Sequence, residues 1–186
     1  LKGGDPFIFG RGGEEIIALA KDGIQFEVIP GVTAGIGAAA VFGIPLTHRD
    51  DATSTLFITG HQCNTAKKQD FETLAKLNST LVFYMGTRRL SEIVTRLMEN
   101  GKSKDTPIAI VQNATLKNQK IITSSINSII KELQYVNVLT PAIIIIGEVV
   151  KNYRKIQNCL NTIPSDIVQP IGDLGFDIWT NKAVVA

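Results

Sequence analysis

With 186 residues, 44% of them apolar, the chain can build the core of one ordinary domain or two small ones; neither a disordered segment nor a disulfide-stapled miniature fits. Lys+Arg number 19 against 17 Asp+Glu, a net charge of +2 with no basic run, which argues against a nucleic-acid binder held by phosphate contacts. Cys63 and Cys159 stand far apart and the only histidines are His48 and His61, so no structural zinc site is expected and a reducing, cytoplasmic compartment is the default.

In chain order, the turn Gly3-Gly4-Asp5-Pro6 follows a strand end and leads to a helix expected over Glu14 to Lys21, with Glu14 and Glu15 in its first turn and Gly23 as its stop. Phe26 to Ile29 reads as a strand closed by Pro30-Gly31. Thr33 is the expected N-cap of a small-residue helix from Ala34 to Phe42, whose Gly35, Gly37, Ala38 and Ala39 allow close approach of a backbone or a flat ligand. Ile44 to Ala52 carries Pro45 and the charged run His48-Arg49-Asp50-Asp51 without a sustained period, and reads as a linker between two lobes.

Beyond it, strands are expected at Thr55–Thr59, Thr80–Tyr84, Pro107–Val111, Lys120–Thr123 and Ala142–Ile146, and helices near Asp70–Leu77, Leu90–Asn100 and Ile126–Leu133. Leu90, Ile93, Val94, Leu97 and Met98 follow i, i+3, i+4, i+7, i+8 and predict one buried stripe. The apolar run Ala142 to Ile146 ends at Gly147 and Glu148, far short of the ~20 residues that cross a bilayer, so no membrane role is expected. This alternation of strands and helices is an α/β pattern. Asparagines and prolines interrupt every period after about Lys151, where either a helix followed by irregular chain or the start of another unit is expected.

Several short segments carry functional chemistry, and each has a bland reading beside it. Two glycines at Gly3-Gly4 expose backbone amides and Asp5 accepts hydrogen bonds, although such a turn is more often only a turn. Arg11 in Gly10-Arg11-Gly12-Gly13-Glu14-Glu15 suits bidentate recognition of carboxylates, or is equally a solvated loop arginine; the segment is neither a Walker loop nor GxGxxG. Pro30-Gly31-Val32-Thr33-Ala34 is a capped helix start or a ligand contact, and its position after a strand favours the latter slightly. Thr47-His48-Arg49-Asp50 reads as a polar linker, and Met85 after Phe83-Tyr84 as core filler.

The order of these segments is more specific than any one of them. From Leu1 through Glu15, then Pro30 to Ala34, Gly43-Ile44-Pro45-Leu46-Thr47-His48-Arg49-Asp50 and Phe83-Tyr84-Met85-Gly86, the chain resembles the tetrapyrrole methylase family, and within it the uroporphyrinogen-III C-methyltransferases, over about residues 1 to 151. The resemblance implies a two-lobed α/β tetrapyrrole methylase fold with the first part of the N-terminal lobe missing: 1–47 as the remainder of that lobe, 48–151 as the C-terminal lobe and 152–186 as a tail. It implies a homodimer that binds S-adenosylmethionine between the lobes and methylates uroporphyrinogen III at C2 and C7 to give precorrin-2. Carried over by position, cofactor contacts fall on Gly3, Gly4, Asp5, Ile8, Thr33, Ala34, Met85 and Ala114, the last often glycine in the family. Arg11, Glu14 and Arg49 match positions linked to binding and turnover of the tetrapyrrole.

The family's opening glycine loop and its acid/base candidates are absent from this chain, so a fragment inactive on its own is expected. Two other readings stand beside this one. A methylase acting later on the corrin ring would keep the Gly3 to Pro6 turn but lack the GRGGEE and PLTHRD segments. A truncated lobe could dimerise or bind ligand without catalysis.

Overall fold

A computed structural model describes residues 3–61, 69–135 and 138–161. Leu1 and Lys2, expected to end a strand, Cys63 and the tail beyond Asn161 lie outside the described residues.

Five strands, β1 (Thr55–Thr59), β2 (Thr80–Tyr84), β3 (Pro107–Gln112), β4 (Lys120–Ser125) and β5 (Ala142–Ile146), form one sheet in the order β1-β2-β5-β3-β4. β1 and β2 are parallel, whereas β5 runs antiparallel to both β2 and β3, and β4 antiparallel to β3. The carboxyl ends of β1, β2 and β3 therefore share one edge with the amino end of β5. Strands β2 and β3 are buried at every position, as their unbroken apolar runs predict for a sheet covered on both faces.

The period-2 alternation of strands sorts those apolar residues into two cores. Leu81, Phe83, Ile108, Ile110, Ile144 and Ile146 meet α3 (Phe71–Lys76), α4 (Leu90–Glu99) and α5 (Ile129–Glu132) on one face. Val82, Tyr84, Ala109, Val111, Ile143 and Ile145 pack on the other with Ala38 and Ala39 of α2 (Ala34–Val41), with Val150 at the start of α6 (Val150–Asn161) and with Val149 just before it. In α4 the buried side chains are Leu90, Ile93, Val94 and Leu97, four of the five in the predicted stripe; the fifth, Met98, is half-buried against the same core, and a short 3-10 turn over Thr87–Arg89 precedes the helix. Asp70 caps α3 by accepting from the Thr73 backbone and hydroxyl, which holds its carboxyl below the ordinary range. No helix among the described residues is long and apolar enough to cross a membrane.

The structure departs from expectation in four places. Phe26 to Ile29 forms no strand, because no strand lies beside it among the described residues to complete a ladder; Phe26 remains 46% and Ile29 74% exposed. The helix expected from Ile126 starts only at Ile129, since the Ile126 amide continues the strand pairing by donating to the Thr106 carbonyl at 3.0 Å. Thr33 occupies the N-cap position of α2 but its side chain caps nothing there. The segment read as a linker is a compact turn, closed by a bridge between His48 and Ala52 and bounded by buried Ile44 and Ala52. Asn152 of α6 pins it by donating to Asp51 at 2.9 Å.

Candidate functional site

The glycine turn at Gly3-Gly4 is built by its neighbours. Asp5 Oδ1 accepts from the amides of Phe7 and Ile8 at 2.9 and 3.2 Å, and Oδ2 accepts from Gly31 at 3.4 Å. The carboxylate thus folds the turn and ties it to the Pro30-Gly31 loop. That tie demands glycine: a Cβ on Gly31 would stand 2.5 Å from the Gly4 carbonyl oxygen, and Gly4 itself has φ +77.

The second loop is fixed from the sheet. The Tyr84 hydroxyl, at the carboxyl end of β2, lies 2.8 Å from Thr33 Oγ1 and accepts the Gly35 N–H at 2.8 Å. A phenol from the sheet therefore supplies the cap that Thr33 was expected to give α2.

Between these loops and the sheet edge lies a cavity of about 430 Å³. Gly3, Gly4, Thr33, Ala34 and Ala114 line it together with Gly37 of α2, Val111 and Thr115 from the end of β3, and Pro141 to Ile143 at the start of β5. Its volume falls in the range of small-molecule sites, and its position beyond strand carboxyl ends is where open α/β sheets bind ligands. A Cβ on Gly37 would meet only the Thr115 and Val32 methyls, at 3.8 and 3.9 Å, so this wall is shallow and open.

Five of the eight expected cofactor positions, Gly3, Gly4, Thr33, Ala34 and Ala114, thus come together on one cavity. Asp5, Ile8 and Met85 are not among its lining residues. Asp5 acts on the turn, Ile8 packs against the core under α2, and Met85 follows Tyr84 with φ 54 and an exposed side chain. Met85 is held in place by its surroundings: Gly60 and Gly86 approach so closely that a Cβ on Gly60 would lie 2.3 Å from the Gly86 Cα. Arg89 donates to the Gly60 carbonyl at 2.9 Å while pairing with Glu92 at 2.6 Å.

The expected substrate residues lie off the cavity. Arg11, at φ 58 before α1 (Gly12–Lys21), donates through Nε to Glu14 Oε1 at 3.2 Å, with side chains 80% and 63% exposed. Arg49 sits at the exposed tip of the His48–Ala52 turn. Sequence reasoning missed Tyr84, Val111, Thr115 and Pro141. Thr115 carries the one local mark, a β-branched residue at φ 68, visible only in the folded backbone.

The model of the family described as Tetrapyrrole (Corrin/Porphyrin) Methylases matches residues 1–130. Siroheme synthase of Actinobacillus pleuropneumoniae serotype 7 is 50% identical over 151 residues, 81% of this chain and 31% of that protein. The chain therefore spans about a third of the length of this curated relative. Among solved structures, uroporphyrin-III C-methyl transferase from Thermus thermophilus complexed with S-adenyl homocysteine is 34% identical with a TM-score of 0.69, covering 81% of this chain and 65% of that one. Cobalt precorrin-4 methyltransferase reaches a TM-score of 0.72 at 24% identity, over 78% of this chain and 62% of that one, a likeness of fold alone. With a family model matched over more than half its length and a mixed sheet of the same architecture, the chain belongs to the tetrapyrrole (corrin/porphyrin) methylases.

Proposed function

We propose that these residues form part of an S-adenosylmethionine-dependent uroporphyrinogen-III C-methyltransferase, which methylates C2 and C7 to give precorrin-2 and works as a homodimer. The observation that carries the reading is the convergence of Gly3-Gly4, Thr33-Ala34 and Ala114, far apart in sequence, on one cavity at the ligand-binding edge of the sheet. The cradle fits the cofactor in kind. Glycine amides and the threonines Thr33 and Thr115 offer a few polar contacts, while Val111, Ala38 and Ile143 provide apolar walls.

When bound, S-adenosylmethionine supplies an electrophilic methyl, and a reduced pyrrole carbon is already electron-rich. What the protein must add is alignment and a dry approach, with reacting atoms about 3–3.5 Å apart. Gly3, Gly4 and Thr33 hold and orient; the apolar wall excludes water. Arg11 and Arg49 meet carboxylates of the polyanionic substrate, for which guanidinium groups suit bidentate contacts, and Glu14 steadies Arg11 through their 3.2 Å contact. Proton loss after methyl transfer needs a base, and among the described residues none that lines the cavity is titratable. The isolated chain should therefore bind ligand yet turn over little. A later corrin-ring methylase is the weaker reading, because the GRGGEE and PLTHRD segments are both present.

The test pairs calorimetric titration of S-adenosylhomocysteine with a methyl-transfer assay in an active preparation of the enzyme. Arg11→Ala and Arg49→Ala are expected to lower tetrapyrrole turnover and leave S-adenosylhomocysteine affinity intact. Equal loss of ligand affinity in well-folded variants would remove the role assigned to these arginines.

A further inference from the structure

Tyr84 is 7% exposed, and its hydroxyl is enclosed by partners from one place only, the amino end of α2. A core position at a strand end needs no hydroxyl. A buried one is costly unless bonded, and here it has two partners, Thr33 Oγ1 and the Gly35 amide. The fit excludes any side chain on residue 35, since a Cβ on Gly35 would stand 2.5 Å from the Tyr84 oxygen. The ring is clasped as well: Phe9, from the loop that Asp5 organises, lies 4.8 Å away centre to centre, and Phe57 of β1 meets it edge-on at 5.8 Å. Tyr84 also pairs in register with Ile143, which lines the cavity. One side chain thus joins β1, the Asp5 to Phe9 loop, the start of α2 and the cavity wall.

We infer that Tyr84 is a positioning residue of the cavity, fixing the Thr33-Ala34 rim against the glycine turn so that the rim is set before ligand arrives. The inference rests on reading the cavity as the S-adenosylmethionine site. The phenol oxygen that accepts from Gly35 N–H can give its own proton to Thr33 Oγ1, leaving the Thr33 hydroxyl proton for a ligand acceptor. Removing the phenol oxygen takes the partner from the Gly35 amide and leaves the Thr33 hydroxyl free to turn away from the cavity.

Tyr84→Phe tests this with the ring retained. Its S-adenosylhomocysteine affinity, by calorimetry well below the melting temperature, should fall roughly tenfold. Ile129→Val, a loss of buried volume in the opposite core, serves as a stability-matched control and should leave affinity unchanged. Thr33→Val should weaken binding similarly, and the double variant should be weakened by less than the two single effects combined, because the two side chains share the Thr33–Tyr84 bond. Unchanged affinity in Tyr84→Phe, or equal weakening in Ile129→Val, would overturn the inference.

Hydrogen exchange at the Gly35 amide provides a readout that needs no ligand. It should quicken roughly tenfold in Tyr84→Phe while amides of α4 keep their protection. No change at Gly35 overturns the inference whatever the titration shows. If the wild-type chain binds no S-adenosylhomocysteine while Gly35 still responds, the ligand reading fails and the fixing of the rim by Tyr84 stands.

Discussion

One face of the sheet is packed by large side chains, Phe83 of β2 against Phe71 of α3 and Ile93 and Leu97 of α4; the other meets α2 through Ala38, Ala39 and Ala109 and opens at one edge into the cavity. The same strands build both, since alternate residues of β2 and β3 point to opposite sides. The difference teaches where stability and binding reside. The first face is closed by volume. The second uses small residues and glycines that let loops and helix come near without filling the space between them.

If that division holds, changes on the two faces should separate stability from affinity. The largest expected effect is on the closed face, where Phe83→Ala should cost about 3–5 kcal/mol in urea denaturation. The folded fraction should still bind S-adenosylhomocysteine, and a matching loss of affinity would break the comparison. Next comes Gly37→Leu on the open face. The Cβ is tolerated and the longer chain fills the cavity, so affinity should fall by at least roughly 1.4 kcal/mol, or tenfold. Its thermal midpoint should hold or rise, because leucine favours a helix interior over glycine by about 0.5–1 kcal/mol. Retained binding in this variant would show that the ligand lies elsewhere. The smallest effect belongs to Arg11→Ala, whose contact with Glu14 is solvent-exposed; its stability should stay within about 0.5 kcal/mol of wild type by thermal melting.

The closed face was legible in the sequence because its signals are local. The α4 stripe and the apolar runs of β2, β3 and β5 each lie within a few residues, and the helix and strands they mark form where expected. The open face was legible only in pieces. Gly3-Gly4, Thr33-Ala34 and Ala114 were identifiable by resemblance, yet Thr115 and Pro141 reach the cavity only because β5 runs antiparallel between β2 and β3, a pairing that no short window encodes. Tyr84 looked like the end of a buried strand, since a phenol that bonds a loop some fifty positions earlier leaves no periodic trace. Phe26 to Ile29 shows the opposite failure: its local pattern is that of a strand, but a strand is a property of two segments, and here the second is not among the described residues.

The most direct test of the central claim is a titration of the chain with S-adenosylhomocysteine followed by amide chemical shifts. Saturating shifts at Gly4, Thr33, Ala34 and Ala114, with Ile93 and Leu97 of α4 quiet, are the expected result. Shifts clustered away from these four amides, or none at all with a folded chain, would contradict it.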